Sequence, residues 1–434
     1  MVGIDSLIAS LRRFIRCSPK EDHMAQKGLA VWLGVGAVLL VIAPAYAKTA
    51  PIAPPTLTCA SSEPTLVGTS RADRLVGTPG ADVIVALGGR DVVRGRGGDD
   101  LICGGRGADL IHGGRGDDRL YGQLSGIGSD GETDRFYRGD RLDGGSGDDL
   151  LDVGAASVDH DYRSPEVLDF SSLDSAVTVD LATRTAVTRT GDRDTLVHIG
   201  GIYHRRAVLG TRFADVLMGT DDDDILAGRG GDDAIQAREG GDTLRGGRGE
   251  DNLVGGRYHD STRDIYEPQI YGDRLVPGPG DDRVVPVAGN EFAENTDTLI
   301  YSRSRQSVFV SLFDGRAAGQ GRDRLVIDGA LTVVGSQHRD QLMGDRFRQV
   351  LVGLSGRDLV AGRGEVDSLV GDGDYRYRAR QPGNDYLVGG AADDYLDGGP
   401  LADVLIGGVG RDSEFDDSND NLCRRIERVQ RRGC

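Results

Sequence analysis

The sequence predicts an all-β solenoid, in which short strands stack coil upon coil, and three observations favour this class. A nine-residue period starts at Gly68, and each unit carries an acidic residue at its sixth place and an aliphatic residue two places later. Glycine accounts for 67 of the 434 residues, and only 5% of the chain is aromatic. Few large side chains are therefore available for a globular core, and a short fixed period is typical of units that stabilise one another by stacking.

The chain is acidic, with a formal net charge of −18. Nucleic-acid binding depends on a basic face, so we expect no nucleic-acid partner. A surplus of acidic residues suits a protein that binds cations.

The first 47 residues resemble a secretion signal. Lys27 precedes a mostly apolar run, Gly28–Ile42, which is followed by the small-x-small cleavage site Ala45-Tyr46-Ala47. The run is short for a membrane span, which needs about 20 residues. We expect cleavage, secretion to the extracellular space and no membrane association afterwards; the alternative is an uncleaved anchor. Residues 48–67 are expected to form a linker or N-terminal cap.

Four cysteines would remain after cleavage, since Cys17 leaves with the signal. Secretion exposes them to an oxidising compartment, and four cysteines allow three pairings. We favour Cys59 with Cys103 and Cys423 with Cys434, and unpaired thiols are the alternative.

The nine-residue period divides the chain into three arrays separated by segments without the period. The predicted organisation is array 1 over 68–153, a short-strand module over 154–209, array 2 over 210–285, a second module over 286–334, array 3 over 335–412, and a Cys- and Arg-containing cap over 413–434. A polar loop interrupts each array, at Gln123–Gly139, Ser261–Tyr271 and Tyr375–Pro382.

The composition of one unit explains its expected structure. In GGRGDDRLY, Gly113–Tyr121, the glycines permit the positive φ of a tight turn. The Asp that closes the turn places a carboxylate near the carbonyl oxygens of the turn. The last three residues make a minimal strand with Leu120 on one face.

The GGxGxDx-aliphatic-x pattern resembles the repeat of the RTX, or haemolysin-type, calcium-binding proteins. Matching units include Gly104–His112, Gly113–Tyr121, Gly144–Asp152 and Gly246–Val254. The resemblance implies a right-handed parallel β-roll in which two nonamers form one coil. It also implies that several Ca²⁺ ions lie between turns 18 residues apart, held by Asp side chains and turn carbonyls.

Carried onto this chain, the resemblance names eighteen candidate calcium ligands, all aspartates at the sixth place. They are Asp82, Asp91, Asp100, Asp109, Asp118, Asp149, Asp215, Asp224, Asp233, Asp242, Asp251, Asp282, Asp340, Asp358, Asp385, Asp394, Asp403 and Asp412.

Some units depart from the pattern. Gln349 replaces the Asp, and we expect it to spoil the pairing with Asp367. The units of Asp73, Asp91 and Asp340 lack some of the glycines. Asp140, Asp260 and Asp273 border loops, and we expect them to lack a stacked partner.

The expected function is that of a secreted calcium-binding β-roll with a structural, matrix or adhesion role. Two carboxylates on neighbouring turns about 5 Å apart repel by about 3 kcal/mol at an effective dielectric of 20, so we expect the arrays to fold only when calcium binds. The sequence contains no HExxH or GxSxG motif, and we expect no enzymatic activity. The alternative is a carbohydrate-active or glycan-binding solenoid, with a cell-surface or matrix glycan bound at the three loops. Its candidate residues are Phe136, Tyr258, Tyr266, Tyr375, Tyr377 and Arg378.

Overall fold

The computed structural model describes residues 62–122, 139–154, 165–198, 206–256, 272–286, 297–373, 377–415, 422–424, 426 and 428–429. The predicted signal segment, most of the predicted linker, Cys59, Cys434, Asp260 and much of the three loops lie outside these residues. Every element in the described part is a strand or an irregular connection. No helix there is long and apolar enough to cross a membrane.

Successive short strands alternate between two sheets. The described residues form a 20-stranded sheet, here called sheet A, and a 16-stranded sheet, here called sheet B. The strands of sheet A are β1 (Leu66–Val67), β3 (Val83–Val85), β5 (Leu101–Cys103), β7 (Arg119–Tyr121), β9 (Leu150–Asp152), β11 (Val177–Asp180), β12 (Thr185–Thr188), β13 (Arg193–Val197), β15 (Val216–Met218), β17 (Ala234–Gln236), β19 (Asn252–Val254), β21 (Arg283–Val285), β23 (Phe309–Ser311), β24 (Arg316–Ala318), β25 (Arg322–Leu325), β27 (Gln341–Met343), β29 (Leu359–Arg363), β31 (Tyr386–Ala391), β33 (Val404–Val409) and β35 (Leu422–Arg424). The strands of sheet B are β2 (Arg74–Val76), β4 (Val92–Arg94), β6 (Leu110–Arg115), β8 (Arg141–Ser146), β10 (Glu166–Asp169), β14 (Arg206–Leu209), β16 (Asp224–Gly230), β18 (Thr243–Arg248), β20 (Arg274–Val276), β22 (Thr298–Ile300), β26 (Leu331–Val334), β28 (Gln349–Val352), β30 (Ser368–Val370), β32 (Tyr395–Asp397), β34 (Ser413–Glu414) and β36 (Arg428–Val429).

The register shows that two nonamers make one coil. Ile84 of β3 lies beside Ile102 of β5, 18 residues on, while the nonamer between them contributes β4 to the other sheet. All pairings within the arrays are parallel, as in β4 with β6 and β15 with β17. The fold is therefore an all-β parallel β-roll, as the sequence predicted.

The inserted loops do not disturb this register. Leu120 of β7 pairs with Leu151 of β9 across a gap of 31 residues, and Val360 pairs with Leu387 across 27. In each pair, the inward aliphatic residue of one strand lies directly beside that of the other. The coil after each of these loops therefore stacks on the coil before it as it does elsewhere.

The core consists of two facing files of aliphatic residues, one from each sheet. Ile84, Ile102 and Leu120 from sheet A, and Val93 and Ile111 from sheet B, are all fully buried. Burying one such side chain contributes roughly 1.5–3 kcal/mol, so stability depends on many coils stacking rather than on any single one.

The two modules continue the solenoid rather than interrupting it. In the first, β11, β12 and β13 form an antiparallel meander. Its outer strands pair in parallel with β9 below and β15 above. β10 meanwhile pairs in parallel with β8 and β14 in sheet B. β23, β24 and β25 repeat this arrangement in the second module.

The ends of the predicted arrays also join the sheets. Leu66 and Val67, in the segment predicted to be a linker, form β1 and pair with β3. Near the C-terminus, β35 pairs with β33 and β36 pairs with β34, which adds a last coil. Cys103 and Cys423 are both disulfide-bonded; the predicted pairing with Cys59 and Cys434 remains a prediction.

Candidate metal-binding turns

Most turns between strands are tight loops that depend on residues with positive φ. In the unit that starts at Gly95, the second and fourth places, Arg96 and Gly98, have φ of 86° and 91°. The coil above approaches closely: a Cβ built on Gly116 would lie 2.5 Å from the carbonyl oxygen of Gly98. Glycine is required there because it tolerates positive φ and leaves room for the neighbouring backbone.

Within each array, the sixth-place aspartates form a ladder of hydrogen bonds along each edge of the roll. The N–H of Asp82 donates to Oδ1 of Asp100 at 2.8 Å, and the N–H of Asp100 donates to Oδ1 of Asp118 at 2.8 Å. The ladder crosses an inserted loop without change, since Asp118 donates to Asp149 at 2.8 Å. Each Asp is thus both an acceptor and, through its backbone, a donor.

The structure brings together every pair of aspartates that the 18-residue spacing predicts. Each is joined by this ladder hydrogen bond: Asp82–Asp100, Asp91–Asp109, Asp100–Asp118, Asp215–Asp233, Asp224–Asp242, Asp233–Asp251, Asp340–Asp358, Asp385–Asp403 and Asp394–Asp412. Asp149 and Asp282 accept the same bond from Asp118 and Asp251. All eighteen candidate ligands are buried.

The ladder uses only one oxygen of each carboxylate. In most units the other oxygen, Oδ2, is buried with no hydrogen-bond partner, although buried polar atoms are normally satisfied. Among the described residues this holds for Asp91, Asp100, Asp109, Asp118, Asp140, Asp149, Asp233, Asp242, Asp251, Asp282, Asp358, Asp367, Asp385 and Asp394.

A main-chain oxygen from the next coil lies beside this unsatisfied Oδ2. A Cβ built on Gly104 would lie 2.6 Å from Oδ2 of Asp109 and 3.1 Å from the carbonyl oxygen of Gly122. Asp100 with the carbonyl of Gly113, and Asp118 with that of Gly144, repeat the arrangement. Each such turn therefore brings a carboxylate oxygen and a carbonyl oxygen together beside a glycine.

These oxygens fit a hard cation. Calcium accepts six to eight oxygen ligands and combines carboxylates with main-chain carbonyls. Among the described residues, no group of three or more His, Cys, Asp or Glu side chains forms a conventional metal cluster. A site here would consequently rely on one or two aspartates and on the turn carbonyls, which is a donor set suited to calcium rather than to zinc.

Burial disfavours the ionised form of these carboxylates. Desolvation raises the pKa of Asp109 and of Asp118 to about 7, and of Asp358 to about 8. The pKa of Asp242 rises to about 9, because desolvation is reinforced by the charge of Asp273. A bound cation would compensate for this cost, since it favours the ionised form.

Two expectations about the weaker units are wrong. Gln349 does not break the ladder: its N–H donates to Oδ1 of Asp367 at 2.8 Å, because the ladder donor is the backbone and not the side chain. Asp140 and Asp273 do have stacked partners, Asp109 and Asp242, at 2.8 and 2.9 Å. The loops beside them leave the strand register intact, so the ladder continues.

Four predicted ligands differ from the rest. Oδ2 of Asp82, Asp215 and Asp224 accepts hydrogen bonds from Thr78, Thr211 and Thr220. Asp340 is bonded in the same way by Ser336. The Thr78 N–H lowers the pKa of Asp82, opposite to the trend in the other units.

The sequence reading missed aspartates that end the ladders inside the modules. Asp194 and Asp323 accept the ladder bonds from Asp149 and Asp282, and Asp297 accepts that of Asp273. Asp297 precedes β22, whereas Asp194 and Asp323 lie within β13 and β25, and each of the three has Leu two places later, as in a nonamer. That spacing could have identified them, and for Asp323 the preceding Gly319 and Gly321 were a further signal.

A second ladder runs along the outside of one edge through the fifth places. The N–H of Asp117 donates to Oδ1 of Asp99 at 3.0 Å, and that of Asp148 donates to Asp117 at 2.9 Å. The repeated Asp-Asp dipeptide was the available signal. These side chains add negative charge beside the candidate sites.

Array 3 has a cleft of different character, here called the basic cleft. It has a volume of about 1090 Å³, and Arg303, Arg305, His338, Arg357 and Arg380 lie along it, with no acidic residue in its lining. The end of the third loop forms one wall.

Hydrogen bonds from the loop backbone hold this wall in place. The N–H of Arg380 lies 2.9 Å from Oε1 of Gln337 and 2.6 Å from Oγ of Ser355, and Gln381 also donates to Ser355. Of the loop residues predicted to bind a glycan, Tyr377 instead accepts a hydrogen bond from Arg274 at 3.2 Å, and Arg378 is exposed. The other four lie outside the described residues.

A parallel β-roll with a ladder of buried carboxylates at its turns defines a class of calcium-binding repeat protein. Comparison with known families agrees: the RTX calcium-binding nonapeptide repeat matches residues 67–102, 102–124, 138–157, 209–244, 230–261 and 381–414. The chain therefore contains several copies of the RTX calcium-binding nonapeptide repeat, which supports an RTX-type calcium-binding repeat protein. No curated protein shows significant similarity to it.

Proposed function

We propose that this chain is a secreted protein whose arrays fold when calcium binds and whose role is structural, in a matrix or in adhesion. The observation that carries the proposal is the series of buried, unsatisfied Oδ2 atoms, which recurs in all three arrays. An isolated buried carboxylate is costly, and here the same cost is repeated at many stacked turns. A cation at each turn removes the cost and links two coils.

Secretion is supported by the N-terminal segment and by the cysteines. Residues 28–47 combine an apolar run with a small-x-small site. Disulfides at Cys103 and Cys423 suit an oxidising compartment. Extracellular calcium is also abundant enough to occupy sites of modest affinity, at dissociation constants of about 10⁻⁴–10⁻³ M for extracellular modules.

A non-catalytic role is part of the proposal. The conspicuous carboxylates, which could otherwise suggest a glycosidase pair, take part in the ladder hydrogen bonds. Calcium bound at the turns would be held by these same carboxylates, which would give them a structural role.

Isothermal titration of the calcium-free mature chain tests the proposal. We expect several ions to bind per chain, with strand formation measured by circular dichroism over the same calcium range. Magnesium is the matched control, because its smaller ion demands near-ideal octahedral geometry that turn carbonyls do not supply. No calcium binding at millimolar concentration would contradict the proposal.

A second candidate function is the binding of an acidic glycan at the basic cleft. On the edge that carries Asp340 and Asp358, most fifth places of the earlier arrays are acidic, as at Asp99, Asp117 and Asp232, but Arg339 and Arg357 occupy them in array 3. Local positive charge in an otherwise acidic chain favours a ligand with carboxylate or sulfate groups. The serine, glutamine and asparagine side chains of the cleft can hydrogen-bond sugar hydroxyls.

Binding of uronate-bearing and sulfated oligosaccharides to the calcium-loaded chain tests this second function. We expect Arg357→Gln with Arg380→Gln, or deletion of Tyr375–Pro382, to abolish binding. Arg189→Gln, at an exposed arginine of the first module, should leave it unchanged. Equal binding of a neutral oligosaccharide, or equal loss in the control, would contradict the proposal.

A further inference from the structure

The first two units of every array share a turn that differs from the turns with an unsatisfied Oδ2; elsewhere Asp273 resembles it, since its Oδ2 accepts the N–H of Gly256 at 2.7 Å. Their sixth places are Asp73 and Asp82 in array 1, Asp215 and Asp224 in array 2, and Asp340 and Gln349 in array 3. In each, the N–H of the second-place residue donates to the sixth-place side chain. The donors are Thr69, Thr78, Thr211, Thr220, Ser336 and Asp345. Together the two units make one complete coil, here called the starter coil.

The second-place side chain closes the same turn from the other side. Its oxygen accepts a hydrogen bond from the N–H two residues later, as from Phe213 to Thr211 at 2.9 Å and from His338 to Ser336 at 3.1 Å. Asp345 accepts the equivalent bond from Phe347 at 2.8 Å. Short polar side chains form such turns with their own backbone, and glycine and leucine cannot.

The backbone separates the two kinds of turn. In the uninterrupted units with an unsatisfied Oδ2, the second place has positive φ; these residues are Leu87, Arg96, Gly105, Gly114, Gly145, Arg229, Arg238, Gly247, Gly278, Leu354, Arg363 and Gly390. No second-place residue of a starter coil has positive φ. In the positive-φ turn the N–H points away from the Asp, as in Arg96, which donates to the carbonyl of Gly113 at 2.8 Å.

The starter coil of array 2 shows how completely its carboxylates are satisfied. Oδ2 of Asp224 accepts from the N–H and the hydroxyl of Thr220 at 2.7 and 2.9 Å. Its Oδ1 lies 3.1 Å from Nη1 of Arg206, a fully buried arginine that provides the compensating charge. Asp242, in the next coil, has only the ladder bond from Asp224 on Oδ1 and nothing on Oδ2.

We infer that the starter coil of each array holds no calcium, and that a Thr, Ser or Asp at the second place of a unit replaces the ion. This inference rests on the proposed calcium binding and specifies which turns bind the ion. Calcium sites then begin at the third unit of each array. Asp82, Asp215, Asp224 and Asp340 leave the set of ligands predicted from the sequence.

The inference explains Gln349. A neutral amide at the sixth place would leave a calcium site without its carboxylate, but a starter coil needs no charge there. Its Nε2 and Oε1 both contact Asp345 of the same turn, and its backbone still supports Asp367 in the next coil. The starter coil thus supplies a preformed ladder on which the first calcium-dependent coil stacks.

Anomalous scattering from crystals of the calcium-loaded chain tests the inference without any substitution. We expect calcium beside Asp100, Asp118, Asp233 and Asp358, and none beside the six sixth-place residues of the starter coils. Calcium bound at any of those six overturns the inference. Calcium at no turn at all would overturn the proposed function and the inference with it.

A matched pair of variants tests it in solution. Asp215→Asn in the starter coil should leave the number of calcium ions bound at saturation unchanged, measured by equilibrium dialysis of the full chain. Asp233→Asn, one coil further along the same edge, should lower it. An equal loss in both variants contradicts the inference. Circular dichroism in saturating calcium checks that each variant is folded. If a variant does not fold, the anomalous scattering experiment on the unsubstituted chain tests whether the starter coils bind calcium.

Discussion

At the scale of single residues, a sixth-place aspartate outside the starter coils has three contacts to make. In Asp100, Oδ1 accepts the N–H of Asp82, the backbone N–H donates to Asp118, and Oδ2 is left facing the carbonyl of Gly113. Two of these contacts are internal to the protein. The third is available to a cation, so a single residue couples the stacking of coils to calcium.

Asp100→Ala should therefore remove a calcium site and weaken the stacking of its two neighbours. Losing one site that is filled at 100 times its dissociation constant costs about 2.7 kcal/mol, so the calcium concentration at the folding midpoint should rise. Circular dichroism during a calcium titration measures that midpoint. Asp73→Ala is the control: its carboxylate lies in a starter coil, and an equal shift there would contradict this assignment.

Gly116→Ala should destabilise the calcium-loaded protein by about 1–3 kcal/mol, because its φ of 117° is unfavourable for alanine and its Cβ would meet the carbonyl oxygen of Gly98. Thermal unfolding in calcium measures this difference. Gly80→Ala is the matched control, since the nearest atom to its Cβ is 3.9 Å away and its φ is not positive. Similar losses in both variants would show that close coil approach is unimportant.

At the scale of the coil, the buried ladder makes stability depend on pH when calcium is absent. The pKa of Asp100 is raised to about 6 and that of Asp233 to about 8, both by desolvation, from an ordinary value of 3.8. A raised carboxyl pKa means that the folded state binds protons more tightly than the unfolded state. The resulting stabilisation is complete below pH 3.8 and is lost as the pH rises through about 6 to 8.

In chelator, the strand signal should therefore be larger at pH 5 than at pH 8. Protons at low pH would partly replace the cations that the turns need. With saturating calcium the order should reverse or disappear, because calcium requires the ionised carboxylate. Far-ultraviolet circular dichroism at both pH values is the measurement; a chelator signal that grows with pH would be inconsistent with buried, ion-free carboxylates.

Within a coil, the sequence predicted some features well and missed others. The period predicted the strands and the inward residues such as Ile102 and Leu120, and the resemblance to the RTX repeat predicted the stacking of Asp100 on Asp118. Asp194 and Asp323 escaped prediction because they lie in the modules, where single units are not followed by an unbroken nine-residue series, although Gly319 and Gly321 precede Asp323. The starter coils escaped it because the sign of φ at the second place, and not the presence of Asp, decides which oxygens are free.

At the scale of the whole molecule, the arrays and modules form one continuous solenoid in the described residues. β13 and β11 connect array 1 to array 2 through parallel pairing with β9 and β15. In such a structure each coil contacts only its neighbours, so stability is a sum of coil and interface terms. Calcium sites distributed along the arrays would then act together, because each ion stabilises the interface on which the next coil depends.

The measurement that tests this account most directly is the strand signal of the mature chain at neutral pH, followed by circular dichroism from chelator into excess calcium. The account predicts little strand signal from the arrays in chelator and a steep rise as calcium is added. A full strand signal already present in chelator, unchanged by calcium, would contradict it.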